Sequence, residues 1–186
     1  MRTISGYHHG NLRRTIIDAA VEAIADSGTA TWSLRELARR AGVSHAAPAH
    51  HFGDKAGLLT AVAAEGYRLF ADTLAAAGDD FLEVGTAYVR FATERRGYFE
   101  VMFRPTLYRA DDPEVAAGRA AASAILARGA RAEVDDPDRA PMMEVAAWSI
   151  VHGFAELWLS GALGDDVGPS PVRAAREMLQ VMYDRR

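Results

Sequence analysis

The stretch Thr31-Trp32-Ser33-Leu34-Arg35-Glu36-Leu37-Ala38-Arg39-Arg40-Ala41-Gly42-Val43-Ser44-His45-Ala46-Ala47-Pro48-Ala49-His50-His51-Phe52-Gly53-Asp54-Lys55 decides how this chain folds. Ser33 and Glu36 have the spacing of a capping box, in which each side chain satisfies an orphan backbone N–H at a helix start. Leu34, Leu37, Ala38 and Ala41 recur at three and four, the apolar stripe of a short helix. Gly42 can end that helix by taking the positive φ a sharp turn needs. Val43 falls in the turn, Ser44 can cap again, and a third helix is predicted from His45 to about Phe52, closed by Gly53. Val43 and Phe52 are the residues available to plug the core between the helices. Two short helices joined by a glycine turn and packed on a longer first helix make a helix-turn-helix. The third helix is expected to leave His45, Ala46, Ala49 and His50 outside, a small and hydrogen-bonding set unlike the Glu/Lys mixture of a merely solvated face. Small side chains let a helix approach base edges, alanine methyls can touch thymine methyls, and imidazoles can bond to bases or phosphates. Pro48 lies at the end of the first predicted turn, where a missing amide costs less than further in.

Working outward, the periodicity stays helical. Leu12, Ile16, Ala19, Ala20, Ala23 and Ile24 share one face of a first helix over Asn11–Ser27, with Gly28 as the stop. Asp54 caps a fourth helix that ends near Gly78. A broad apolar face with Phe81, Val84, Tyr88, Val89, Phe91 and Ala92 follows between Asp79 and Arg96, and a short aromatic helix with Tyr98, Phe99, Met102 and Phe103 stops at Pro105. An alanine-rich helix is predicted from about Glu114 to Arg131, another from Asp138 to Leu163, and a last from Pro171 to Asp184, with the acidic breaks 111–114 and 135–138 as solvated loops. No segment alternates as a strand does, so the chain reads as all-α, with about nine helices.

Composition narrows the function. The chain has 186 residues, 49% of them apolar, and no cysteine. Disulfide scaffolds, thiolate zinc sites, iron–sulfur centres and cysteine nucleophiles are thereby excluded. The uncharged run between Glu144 and Glu156 falls short of the roughly 18 residues of a membrane span, and Met1–Asn11 lacks the hydrophobic block of a secretory signal; the chain reads as cytoplasmic, with no membrane partner. A net charge of −4 argues against a protein that coats nucleic acid, but the charge is unevenly placed. Residues 1–55 hold seven Lys/Arg against five Asp/Glu, and five of the six histidines, whereas the remainder holds 14 against 20. The first third is the part suited to a polyanion. Adjacent histidines on a helix, as in His8-His9 and His50-His51, point about 100° apart and cannot readily share a metal, so no metal and no cofactor is expected. No phosphate-cradling loop, Gly-x-Ser-x-Gly elbow or His-Glu-x-x-His pair is present, and the chain is not expected to be an enzyme. A helical enzyme without a familiar motif, or a protein-interaction adaptor, are the competing readings.

The run from Thr31 to Leu59 resembles the DNA-binding domain of tetracycline-repressor-like (TetR family) transcriptional regulators, and Gly6-Tyr7-His8-His9-Gly10-Asn11-Leu12-Arg13 looks like the N-terminal segment of one branch of that family. Ala147-Trp148-Ser149-Ile150-Val151-His152-Gly153-Phe154, with Tyr88-Val89-Arg90-Phe91-Ala92 upstream, resembles the family's Trp-His-Gly type of C-terminal domain. The resemblance implies a helix-turn-helix domain over 1–55 and a ligand-binding and dimerisation domain over 56–186. It implies a homodimer on double-stranded, palindromic operator DNA, acting as a repressor that a small-molecule effector releases. By the same resemblance Ser33, Arg35, His51 and Lys55 hold phosphates, and His45, Ala46 and His50 approach bases, with Ser44, Ala47 and Ala49 on the same recognition segment. Ala49 stands where the family usually has a tyrosine that contacts DNA. Tyr67, Phe70, Tyr88, Phe91, Phe99, Met102, Phe103, Trp148 and His152 are candidates to line the effector pocket, though each residue singly is more often core. Ile150, Leu157, Leu179 and Met182 are candidate dimer contacts on the last two helices.

Overall fold

The computed structural model describes residues 6–183, with side chains from Leu12 to Met182 except Asp165. The sequence readings that rest on Met1–Ser5 and on the side chains of residues 6–11, including His8 and His9, lie outside the described residues. Among the described residues nine α-helices follow one another: α1 (Gly6–Ser27), α2 (Leu34–Arg40), α3 (Ala47–Phe52), α4 (Lys55–Ala76), α5 (Phe81–Glu94), α6 (Arg96–Met102), α7 (Pro113–Ala132), α8 (Ala140–Leu159) and α9 (Pro171–Tyr183). Short 3-10 turns lie at Pro105–Leu107, Pro137–Arg139 and Asp165–Val167, and there is no strand among the described residues. The all-α architecture expected from the periodicity is the one observed.

The helices gather into two compact units, one of residues up to Gly66 with 96–116, the other of 67–95 with 117 onward. In the first, α1 buries Ile16, Ile17, Ala20, Ala23 and Ile24. Helix α6 lies against α1 through Gly97, where a Cβ would stand 2.2 Å from the carbonyl oxygen of Val21, so only a residue without a side chain permits the approach. Tyr98, Phe99 and Met102 are buried in this unit. The Phe103 ring packs 5.1 Å from that of Phe99. Arg14 of α1 holds Asp18 and Glu65 and donates to the Tyr98 hydroxyl at 3.3 Å. These partners hold the Arg14 guanidinium above its ordinary pKa, the bonds to Asp18 and Glu65 outweighing desolvation.

In the second unit α5 is the central element, with Val84, Ala87, Tyr88, Val89, Phe91 and Ala92 buried on nearly all sides. Asp80 caps it by accepting from the backbone N–H of Leu82 and Glu83. Helices α8 and α9 pack on α5, with Leu179 against Gly85 and an ion pair between Arg176 and Glu83. The Phe70 ring stands 5.0 Å from both Tyr88 and Phe91.

Several helix ends differ from the sequence reading, α1 beginning at Gly6 rather than Asn11 and α8 at Ala140 rather than Asp138, and two further ends have a clear local cause. Helix α8 stops at Leu159 rather than running to Leu163, because Gly161 takes φ +72° and the N–H of Ala162 returns to the carbonyl of Leu157. That left-handed glycine satisfies the last carbonyls of the helix and reverses the chain. Helix α3 begins at Ala47 rather than His45, for the reason given next.

Candidate nucleic-acid interface

Ser33 Oγ accepts the N–H of Glu36 at 3.2 Å and starts α2. The return half of the expected capping box gives way to a stronger partner: the Glu36 carboxylate is held through two bonds by the Arg39 guanidinium, at 2.7 and 3.0 Å. That pairing keeps Glu36 below the usual carboxylate range and Arg39 above its own ordinary value. At the other end Gly42 has φ +65°, the N–H of Val43 returns to Ala38, and the N–H of Gly42 to Arg39, which is the paired closure expected of a glycine-terminated helix. His45 and Ala46 then lie in a turn, with the N–H of Ala46 on Ser44 Oγ at 3.3 Å and that of Ala47 on the Ser44 carbonyl at 3.0 Å. Helix α3 starts only there, which places Pro48 in its first turn, where its missing N–H costs no helical bond.

This start sorts the side chains of the segment. Ala47, Pro48 and Phe52 are buried against α2 and α1, while Ser44, His45, Ala46, Ala49 and His50 are exposed and His51 is half-buried. Ala47, which the resemblance placed with Ser44 and Ala49 on the recognition segment, is 8% exposed and turns its methyl into the core. Ser33 and Arg35 are exposed at the start of α2. The His50 and His51 rings meet edge to face at 5.4 Å, and the Arg13 guanidinium lies over the Phe52 ring. The result is a turn and short helix over 44–52 whose inner face is apolar and whose outer face carries methyls, imidazoles and the Ser44 hydroxyl, free of carboxylates.

Lys55, the first residue of α4, is held more firmly than its exposed neighbours. Its ammonium donates to the carbonyls of Thr29 at 2.8 Å and Trp32 at 3.0 Å, and stands 4.1 Å from the centre of the Trp32 ring. Partial burial pushes its pKa down. The Trp32 indole in turn donates to the Gly28 carbonyl at 3.1 Å, so the loop from α1 to α2 is closed on Lys55. A second tie was not legible in the sequence: Arg109, from the segment before α7, makes two bonds to the carboxylate of Asp54 at 3.0 and 3.1 Å, and its backbone N–H donates to Thr60. Asp54 also caps α4 through the N–H of Gly57. Both ties sit immediately beyond the end of α3.

The candidate effector and pairing residues are distributed over both units. Phe99, Met102 and Phe103 belong to the first, and Tyr67, Phe70, Tyr88, Phe91, Trp148 and His152 to the second. Trp148 donates to the Tyr88 hydroxyl at 3.0 Å, and that hydroxyl lies 2.9 Å from His152 Nδ1. With its oxygen accepting from the indole, the phenol is placed to donate to Nδ1, which leaves the His152 proton on Nε2, facing Glu156 at 4.0 Å. Burial lowers the His152 pKa against the opposing pull of Glu156, and burial raises that of Tyr88. On α8 and α9, Leu157 and Met182 are about half exposed, Ile150 is intermediate, and Leu179 is already covered within its own chain. Met142, Val145, Trp148 and Val181 extend the exposed apolar strip, with exposures from 43% to 71%. No helix among the described residues is long and apolar enough to cross a membrane.

Comparison with known proteins agrees with this geometry. Residues 16–62 match the family of bacterial regulatory proteins of the tetR type, and residues 81–182 match the tetracyclin repressor-like C-terminal domain. The HTH-type transcriptional regulator BetI of Rhizobium meliloti (strain 1021) is 47% identical over 49 residues, which is 26% of this chain and 24% of that protein. Its counterpart in Escherichia coli (strain K12 / DH10B) is 49% identical over 49 residues. The chain thus spans about a quarter of the length of the curated relatives it matches. Among solved structures, a protein from Rhodococcus sp. RHA1 is 30% identical with a TM-score of 0.76 over 97% of each chain. The TetR family transcriptional regulator PfmR from Thermus thermophilus shares the fold, at 20% identity and a TM-score of 0.64 over 88% of this chain and 93% of that one. The helix-turn-helix, the nine-helix architecture and the match of both family domains lead to one conclusion: the chain belongs to the tetracycline-repressor-like (TetR) family of bacterial regulatory proteins, which are DNA-binding transcriptional regulators and not enzymes.

Proposed function

We propose that the chain is a repressor that binds a palindromic operator as a homodimer in the cytoplasm and leaves it when a small-molecule effector binds. Residues 1–55 read DNA and residues 56–186 bind the effector and pair. The observation that carries the DNA reading is the two-sided character of the segment 45–52, the turn before α3 and α3 itself, with Ala47 and Phe52 buried and His45, Ala46, Ala49 and His50 exposed. In this reading His45, Ala46, Ala49 and His50 approach base edges in the major groove, and Ser33, Arg35, Ser44 and His51 hold phosphates on either side. In this reading Lys55 combines two roles: its ammonium closes the 28–32 loop on two carbonyls and adds a positive charge beside the DNA backbone. A single helix of this length reads few base pairs, so pairing of two copies and a half-site separation of about 34–36 Å follow. The exposed apolar strip on α8 and α9 supports pairing there, with Ile150, Leu157 and Met182 as contacts and Leu179 supporting them from behind. An effector site in the second half is supported by Trp148, which is joined to Tyr88 and His152 and lines an apolar cavity there, whereas Tyr67, Phe70, Tyr88 and Phe91 are packed in the core behind it. Effector binding would change the separation of the two reading heads through α4, whose first residue is Lys55. An electrophoretic shift with the DNA upstream of the protein's own gene tests this: a retarded band that weakens as salt rises is expected, and the absence of any shift at low salt overturns the DNA reading.

A further inference from the structure

The second unit contains a cavity of about 220 Å³. Its walls come from α5 through Phe81, α7 through Leu126, α8 through Met143 and Val151, and α9 through Leu179 and Met182. None of the lining side chains carries a nitrogen or oxygen atom except Trp148, and the one N–H of Trp148 is already given to Tyr88. The walls are helices, whose backbone groups are bonded within each helix. The cavity therefore offers no charged or hydrogen-bonding side chain to an ion, which would lose its hydration on entry with no such group to replace it. Apolar cavities of roughly 150 Å³ stay dry and take up benzene, so a space of this size suits one or two fused hydrocarbon rings. Trp148 and Met182, 43% and 46% exposed, stand at its rim and belong to the apolar strip on α8 and α9.

The geometry points to a ligand site at the pairing face: this cavity binds an uncharged, largely hydrocarbon molecule, and filling it strengthens the pairing of two chains. This rests on the reading above in which the second half takes the effector and α8 and α9 pair. A ligand seated in the cavity is left partly in contact with water at the rim formed by Trp148 and Met182. A second chain laid over the strip removes that contact, and an occupied cavity removes a void from beneath the interface. Ligand and partner each favour the state the other needs, and by linkage the two enhancements are the same factor.

The test uses the full chain with naphthalene as the probe, and 1-naphthoate and 1-naphthylmethylammonium as charged molecules of similar shape. Calorimetric titration is expected to show one naphthalene bound per chain, with the two ions at least tenfold weaker. Sedimentation equilibrium is expected to show a several-fold lower dimer dissociation constant at saturating naphthalene. Ala147→Phe, which extends a ring from the α8 wall into the cavity, is expected to weaken naphthalene at least tenfold. Should that variant not fold, Leu126→Ala serves instead, since enlarging the cavity is expected to shift preference from naphthalene towards anthracene. No naphthalene binding, equal affinity for the three probes, or an unchanged ligand preference in the variants overturns the site; binding without tighter pairing overturns the linkage. An operator shift assay run in parallel separates the two readings: a protein that binds DNA but ignores naphthalene refutes this site alone, and one that binds naphthalene but no DNA refutes the regulator reading alone.

Discussion

At the scale of single residues, Lys55 and His152 show how a side chain's partners change what its position suggests. From sequence Lys55 is a cation at the start of a helix, suited to a phosphate. In the folded chain its ammonium also closes the loop between α1 and α2 on two carbonyls and the Trp32 ring. Removing it strands those carbonyls, and hydrogen bonds to a charged donor are worth about 1.5–3 kcal/mol. Lys55→Met is therefore expected to lower unfolding stability by about 1–2 kcal/mol in a urea titration, reduced for partial exposure, as well as to weaken DNA binding equally for all sequences. Unchanged stability would mean the loop is held without it. The neighbour that matters, Trp32, was in plain view at 31–33, but nothing in the spacing says that its ring lies under Lys55. His152, Tyr88 and Trp148 were all named as candidates for the effector pocket, but their joining into one hydrogen-bonded group, with His152 half-buried, was not legible. The folded pKa of His152 is lowered, so the folded state binds a proton less readily than the unfolded chain. That contribution to stability is complete above the ordinary imidazole value of about 6.5 and is lost as pH falls below it. His152→Asn, which keeps an acceptor near Nδ1 but cannot titrate, is expected to show a smaller fall in melting temperature between pH 7.5 and 5.5 than the natural chain. Parallel falls would remove His152 from the pH dependence.

At the scale of elements, both ends of α2 were read closely because each carries a local chemical signal. Ser33 before α2 and Gly42 after it do what their residue types allow, and Asp80 caps α5 one residue inside the expected boundary. The start of α3 was misplaced because His45 and Ala46 are compatible with a helix, and only the turn made by Ser44 keeps them out of it. Gly161 was passed over because the apolar period continues through it, although its left-handed φ ends α8. Two substitutions test the logic of these elements. At Gly42 a Cβ would meet nothing within 4 Å, so Gly42→Ala isolates backbone strain, expected at about 1–2 kcal/mol. At Gly97 the φ imposes nothing, yet an added Cβ would collide with the Val21 carbonyl of α1. Gly97→Ala is expected to cost more than Gly42→Ala, about 3 kcal/mol, since backbone must move. Thermal or urea unfolding of the two variants side by side gives the order, and the reverse order would contradict the close packing of α6 on α1. Contacts such as Arg109 with Asp54 join residues far apart in sequence and belong to no period, which is why they had to be seen.

For the whole molecule, a net charge of −4 hides a first third with seven basic residues against five acidic and five of six histidines. That imbalance was readable at once; the cavity and the apolar strip were not, because periodicity says a helix has an apolar face without saying which neighbour covers it. Met142, Val145 and Leu157 are apolar at positions that the single chain leaves in water, and the proposed pairing would supply the cover. The double substitution Val145→Glu with Leu157→Glu is expected to give a monomer of unchanged helicity by light scattering and circular dichroism, with operator affinity reduced at least tenfold because one reading head grips few base pairs. A dimer that persists would move the interface elsewhere. The central claim is that the exposed face of α3 reads bases, and the most direct measurement is a pair of anisotropy titrations, with a sequence selected from random DNA and with its scrambled version, for the natural chain and for His50→Ala. The account predicts that the natural chain prefers the selected sequence and that His50→Ala loses about 1–3 kcal/mol of that preference while binding the scrambled DNA as before. Equal affinity of the natural chain for the two sequences, or an unchanged preference in His50→Ala, would contradict it.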